Sequence, residues 1–248
     1  MYTEFARYYD RLMDDVPYED WARFYAGLLE HHHIDPPARC IECACGTGNL
    51  TIPLARMGYQ IVGVDLSEDM LNIAQQKARK QGVMIPFVHM DMRKLTVQRP
   101  VDAILATCDG VNYLTDSSEA IGFFKTVYKS LKPGGVFVFD VSTPYKLAEK
   151  LGNAAFSSSQ DDLVYIWQGD YHKSKKLFSI HLDLFVLRQD GNYERIEEDQ
   201  LQRAHDSDEL NSWLQDTGFS KIEFYGDRSL DQPSSNSLRW HIVAYKGV

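Results

Sequence analysis

From residue 38 onward the chain alternates two kinds of segment: ARCIECA, NLTIPLARMG, YQIVGVD, SEDMLNIAQQKARKQG, IPFVHM, PVDAILAT, SSEAIGFFKTVYKSL and GGVFVFDV. Short apolar runs alternate with helical periods, and no hairpin signal lies between them. Strands that lack tight turns need crossover connections, so they must lie parallel, with helices covering both faces of the sheet. The pattern predicts a doubly wound α/β sheet.

Within that frame several elements carry their own signals. Residues 18 to 31 place Trp21, Phe24 and Leu28 at helical spacing, and Pro36 and Pro37 end the pattern, so a helix precedes the first strand. Ser67 is expected to cap a helix whose first turn holds Glu68 and Asp69 and whose last holds Lys77, Arg79 and Lys80, each complementing the dipole. Met70, Ala74 and Ala78 give that helix its sheet-packing face. Pro53 falls near the first turn of its helix, where the missing amide hydrogen has no partner to lose.

After about residue 155 the grammar changes. LVYIWQGDY, KLFSIHLDLFVLR and NYERIEEDQLQRAH show partial period-two alternation, with Ile180, Leu182, Leu184 and Val186 facing one way. Turns are expected at Gly169-Asp170 and at Asp190-Gly191-Asn192. Lys173, Lys175 and Lys176 read as a solvated hairpin tip. A capped helix ending at Gly218 and two strands, FSKIEFYG and LRWHIVAYK, follow. An antiparallel insertion therefore precedes the last helix and two strands.

The chemistry concentrates between the first strand and its helix, at Ile41-Glu42-Cys43-Ala44-Cys45-Gly46-Thr47-Gly48-Asn49. Glycines there let the backbone approach a ligand at a helix N-terminus. A dinucleotide fingerprint wants a third glycine where Thr51 stands, and a P-loop wants Lys followed by Ser or Thr where Asn49-Leu50 stands. Asp65 ends the second strand and Asp91 ends the third. A carboxylate at the tip of strand two suits a ribose diol, and open α/β sheets bind ligands beyond the carboxyl ends of their strands.

With these residues in hand, the sequence resembles the class I S-adenosylmethionine-dependent methyltransferases. Glu42-x-Ala44-Cys45-Gly46-Thr47-Gly48 is similar to their first motif, with Ala44 where many members have glycine. Val64-Asp65-Leu66-Ser67 is similar to the ribose segment, His89-Met90-Asp91-Met92 to the adenine segment, and Leu131-Lys132-Pro133-Gly134-Gly135 to their L-K-P-G-G. The opening YTEFARYYDRLMDDVPYEDW and the stretch Cys108 to Leu114 resemble the bacterial small-molecule branch of YqeM-like proteins, with glycine N-methyltransferase as a more distant relative.

The resemblance implies a Rossmann-like, seven-stranded, mostly parallel sheet in a single domain, 1–248. That domain comprises a helical cover (1–35), a cofactor-binding half (36–150), the β insertion (155–205) and the final helix and strands (206–248). It further implies S-adenosylmethionine as cofactor. Ala44, Gly46 and Gly48 would present backbone to its methionine part, with Glu42 ordering the loop. Asp65 and Leu66 would take the ribose and adenine, Asp91 and Met92 the adenine amine and ring, and the backbone at Cys108 the methionine end. Tyr9 and Trp21 are expected to cover the cofactor or to serve as core aromatics. Asp109 and Tyr113 are the candidate catalytic residues, Asp109 as base or amine anchor; the alternative is that both shape their loop.

Other classes of function are disfavoured. The formal net charge is −9, which argues against a phosphate-tracking nucleic-acid surface. Strand four also ends without the N/D-P-P-Y/F of amino-methylating DNA enzymes. Cys40, Cys43 and Cys45 lack a second cysteine pair, so no metal site is expected and free thiols in a reducing cytoplasm are. His31, His32 and His33 end a helix whose dipole they would complement. No apolar run reaches about 18 residues, and the N-terminus lacks a leader pattern. The expectation is a cytoplasmic enzyme acting on a small molecule at nitrogen or oxygen, with the insertion serving as substrate cover or as a homodimer surface; the alternatives are an RNA or protein methyltransferase, or a non-catalytic S-adenosylmethionine-binding regulatory module.

Overall fold

The computed structural model describes residues 4–248; the first two residues of the YTEFARYYD segment, Tyr2 and Thr3, lie outside them. Two helices open the chain, α1 (Ala6–Leu12) and α2 (Tyr18–His31). The alternation then runs β1 (Arg39–Cys43), α3 (Thr51–Arg56), β2 (Gln60–Asp65), α4 (Glu68–Lys80), β3 (Phe87–His89), β4 (Val101–Ala106), α5 (Ser117–Ser130) and β5 (Leu131–Ser142). Four strands form the insertion: β6 (Ala155–Gln160), β7 (Leu163–His172), β8 (Leu177–Leu187) and β9 (Tyr193–Arg203). The chain closes with α6 (Ser207–Thr217), β10 (Lys221–Gly226) and β11 (Arg239–Tyr245).

The main sheet has seven strands in the order β10-β11-β5-β4-β1-β2-β3, and β6-β7-β8-β9 form a second, antiparallel sheet. β1 to β5 are mutually parallel, whereas β11 runs antiparallel to both β5 and β10. Strand alternation sends Ala103 and Leu105 of β4 to a core under α2 and α3, with Leu28, Leu54 and Val138. Ile104 and Ala106 go to the opposite core under α5 and α6, with Phe123, Phe124, Phe137 and Leu214. Both faces are covered, as parallel strands require.

The capping signals appear where the sequence places them. Ser67 Oγ accepts from the Met70 N–H at 3.3 Å, and Gly218 ends α6 at φ 115°. The Gly169-Asp170 turn does not exist: both residues lie inside β7, and the reversal comes at Lys173–Lys175. A Cβ on Gly169 would stand 2.7 Å from the Phe178 ring and from the Leu151 carbonyl, so that glycine answers to a crowded crossing. Lys176 is not merely a solvated tip. It holds Asp206 and Glu209 at the start of α6. His32 also departs from the dipole reading: it is buried beside Tyr225 and Tyr245, and desolvation lowers its pKa to about 4, so it is neutral.

Candidate functional site

The loop after β1 folds into three positive-φ positions, Ala44 (55°), Gly46 (53°) and Gly48 (76°). At Gly46 an added Cβ would meet nothing within 4 Å, so this stretch of backbone faces open space. Its amide is fixed from the next strand: Asp65 Oδ2 accepts the Gly46 N–H at 2.7 Å while Oδ1 accepts the Ser67 N–H at 2.8 Å. Burial nonetheless raises the Asp65 pKa. Glu42, at the end of β1, accepts from Thr51 Oγ1 (2.5 Å) and Thr107 Oγ1 (2.8 Å), and desolvation pushes it up to about 7.

These residues line one side of a cavity of about 520 Å³ at the carboxyl edge of the parallel strands, a size within the usual range for small-molecule sites. Glu42, Ala44, Gly46, Asp65, Leu66, Asp91, Met92, Cys108, Tyr113 and Tyr9 all border it. Gly48 does not. It lies behind the loop, where a side chain would press on Ala74 and the Phe87 ring. Asp91 caps a short 3₁₀ turn and is gripped by Arg93 Nε (2.9 Å) and Nη2 (2.7 Å), which lowers its pKa; Arg93 also pairs with Glu119.

Beyond β4, Cys108 and Asp109 both adopt left-handed backbone, at φ 53° and 68°. Such positions cost of order 1–3 kcal/mol each unless their surroundings impose them. Here Asp140, buried in β5, accepts the N–H groups of Cys108 (2.8 Å) and Asp109 (2.9 Å). The turn sends the Asp109 side chain away from the cavity and onto Arg239, with Nη1 at 2.6 Å and Nη2 at 3.0 Å. That guanidinium holds the Asp109 carboxyl well below the carboxylate range. Asp109, expected as base or amine anchor or as a loop-shaping residue, is one arm of a partly buried ion pair. Trp21, expected as cofactor cover or as a core aromatic, packs against the core under α2. It lies outside the cavity, with the Arg239 and Arg228 guanidinium groups each 5.0 Å from its ring and His241 beside it.

The roof comes from distant segments. Tyr9 on α1 and Tyr18 at the start of α2 face the cavity, and burial raises both phenols, Tyr18 to about 12. Tyr113 donates to Gln200 Oε1 of β9 at 2.7 Å, which ties the second sheet to the loop after β4. Asp10 docks α1 on the glycine loop, accepting from Thr47 Oγ1 (2.6 Å), Asn49 Nδ2 (3.0 Å) and Lys77 Nζ (2.7 Å). Sequence reasoning missed Asp10, Tyr18, Asp140, Gln200 and Arg239. Only Asp140 carried a local signal, as the one acid inside the apolar run VFVFDV. Away from the cavity, His181, Asp183 and Glu197 bring ligand-type atoms within 4.8 Å of one another on the outer face of the second sheet. Arg195 already pairs with both of those acids.

Comparison with known proteins sets this geometry in a family. A family model described as a methyltransferase domain matches residues 40–135. A Geobacillus protein named "Putative methyltransferase" is 36% identical, over 99% of each chain. "Putative methyltransferase YqeM" of Bacillus subtilis is 34% identical over 99% of this chain and 97% of its own. Among solved structures, an S-adenosylmethionine-dependent methyltransferase from Clostridium acetobutylicum superposes with TM-score 0.86 at 30% identity, covering 100% of this chain and 99% of that one.

Proposed function

This chain belongs to the class I S-adenosylmethionine-dependent methyltransferases, and on that premise we propose that it moves a methyl group from S-adenosylmethionine to a nitrogen or oxygen of a small molecule. The observation that carries this reading is the meeting, in one cavity, of the open Gly46 backbone, the Asp65 carboxylate and the strained turn after β4. The donor set fits the group: a cationic cofactor meets a lining rich in carboxylates. Bound there, it supplies a methyl already activated by a sulfonium.

In this reading the protein binds, orients and excludes water. Asp65 receives the ribose hydroxyls, Leu66 and Met92 flank the adenine, and Asp91 takes the adenine amine. Ala44, Gly46 and the backbone of Cys108 hold the methionine part, and Glu42 keeps the loop in register through its two threonines. Gly48 supports the turn from behind rather than by contact. Tyr9 covers the cofactor, and Tyr113 stands at the acceptor side. In-line placement supplies most of the acceleration, because the leaving group needs no acid.

Three further assignments go with it. A cytoplasmic location suits four free thiols, and no described helix is long and apolar enough to cross a membrane. The acidic balance disfavours nucleic acid as substrate. The outer face of the second sheet, which exposes Ile166, Leu187 and Tyr193, is the surface through which two copies would pair; a solution mass of one chain would exclude that dimer. The test of the cofactor reading is calorimetric titration with S-adenosylhomocysteine. Micromolar binding that weakens at least about a hundredfold, roughly 2.7 kcal/mol, in Asp65→Ala is expected. Equal affinity in the variant would remove Asp65 from the site.

A further inference from the structure

The cavity lining has an uneven charge inventory. Glu42, Asp65, Asp91 and Glu119 contribute carboxylates, and Arg93 alone of the described lining residues contributes a cation; Asp199 also borders the cavity, but its carboxylate turns outward onto His181. No histidine or lysine is among the described lining residues. Arg93, moreover, is spent within the protein, on Asp91 and Glu119. An acceptor that reacts as an anion, whether phenolate, thiolate, enolate or carboxylate, would find no free positive group here and several negative ones.

A neutral hydroxyl acceptor fares no better, because its proton must leave as the bond to carbon forms. Each lining carboxylate is already occupied. Glu42 is held between two threonines and is 2% exposed, and Asp65 accepts two backbone amides. Glu119 and Asp91 share Arg93, and Asp199 faces His181 at 2.7 Å. Asp109 is turned away onto Arg239. Of the phenols and thiols that line the cavity, Tyr9, Tyr18, Cys45 and Cys108 are pushed up by burial and stay protonated at neutral pH, and the Tyr113 hydroxyl donates to Gln200 Oε1.

From this lining we infer that the acceptor is an amine nitrogen, delivered with its lone pair free, and that the protein contributes no general base to the transfer. The inference rests on the methyltransferase reading above and narrows it. In the step, the nitrogen lone pair forms the new N–CH₃ bond while the S–CH₃ bonding pair returns to sulfur. The positive charge passes from sulfur to nitrogen, no proton moves in the transition state, and the product ammonium sheds its proton to solvent. Charge in the cavity is unchanged throughout, so the carboxylate lining that suits the cofactor also suits the product. Tyr9, Tyr18 and Tyr113 also line the cavity, and aromatic rings beside a ligand favour a cation.

The experiment uses the intact protein saturated with S-adenosylhomocysteine and three probes of one shape: cyclohexylamine, cyclohexanol and cyclohexanecarboxylate. Calorimetric binding at millimolar probe is compared at pH 7 and pH 9, and labelled methyl transfer from S-adenosylmethionine is followed with a panel of primary and secondary amines and their alcohol counterparts. The amine is expected to bind at least about tenfold more tightly than the other two. Transfer to amines should rise about tenfold per pH unit until each amine's own pKa, so that the break in the profile moves with the amine and not with the protein. Preference for the alcohol or carboxylate, no amine binding to the loaded protein, or a profile that breaks at one fixed pH for every amine would each overturn the inference. Failure of S-adenosylhomocysteine to bind at all would instead overturn the methyltransferase reading beneath it.

Discussion

Glu42 has the charge state least like that of a carboxylate in water, and its cause is local. Burial raises it to about 7 from 4.5, because two threonine hydroxyls only partly replace its hydration. A raised folded pKa means that the native state holds a proton the unfolded chain has released between pH 4.5 and 7, so this group makes stability fall as pH rises through that window. The penalty reaches about 3 kcal/mol at its upper limit. Glu42→Gln keeps acceptor and size but cannot ionise. The variant should match the wild type in thermal melts near pH 4 and exceed it by a growing margin toward pH 8; a margin that does not change with pH would refute the assignment. At this scale the sequence spoke clearly only where a residue acts on its neighbours. Gly46, Asp65 and Ser67 are tied across one β-α-β unit and were legible. Asp109 was not, because its partner Arg239 lies 130 positions away.

At the scale of elements, α1 connects three parts of the fold. Its apolar side, Phe5, Ala6, Tyr8 and Tyr9, packs between Met70 of α4 and the inner face of the second sheet at Leu163, Leu184 and Ile196. Arg11 reaches Asp162 at the β6–β7 turn, an exposed pair worth little. Asp10 matters more, since three side-chain donors converge on it, and its loss leaves Lys77, Thr47 and Asn49 without their common acceptor. Asp10→Ala is expected to raise amide hydrogen exchange in residues 6–12 by about tenfold, near 1.4 kcal/mol, while exchange in β4 and β5 stays unchanged. Unaltered exchange in α1 would show that packing alone holds it. The main-sheet strands were readable in the sequence because apolar runs and helical periods are local. Hairpin positions in the insertion were less so: Gly169-Asp170 has turn chemistry, but the Phe178 ring across β8 fixes that glycine inside a strand.

Across the whole molecule, three buried histidines govern the acid side of the stability curve. Burial lowers His32, His205 and His241 to about 4 each. Between pH 6.5 and 4 the unfolded chain therefore takes up as many as three protons that the native state refuses, against those that Glu42, Asp65 and, at the upper end of the range, His181 retain. Stability is accordingly lost as pH falls through that range, by about 1.4 kcal/mol per unit per net proton. Urea denaturation at pH 7, 6 and 5 should give a falling midpoint, and a rising one would contradict the balance. The order of the sheet and its covered faces follow from periodicity that any window of the chain displays. The roof of the site does not, because Tyr18 and Gln200 reach the cavity only through tertiary packing of α2 and the second sheet. The most direct test of the account is a crystal structure of the protein grown with S-adenosylhomocysteine. The ribose diol should lie within hydrogen-bonding distance of Asp65, the adenine beside Leu66 and Met92, and the sulfur beneath Tyr9 near the backbone of Cys108. A ligand seated elsewhere on the molecule, with the cavity between Gly46 and Gln200 left to solvent, would contradict it.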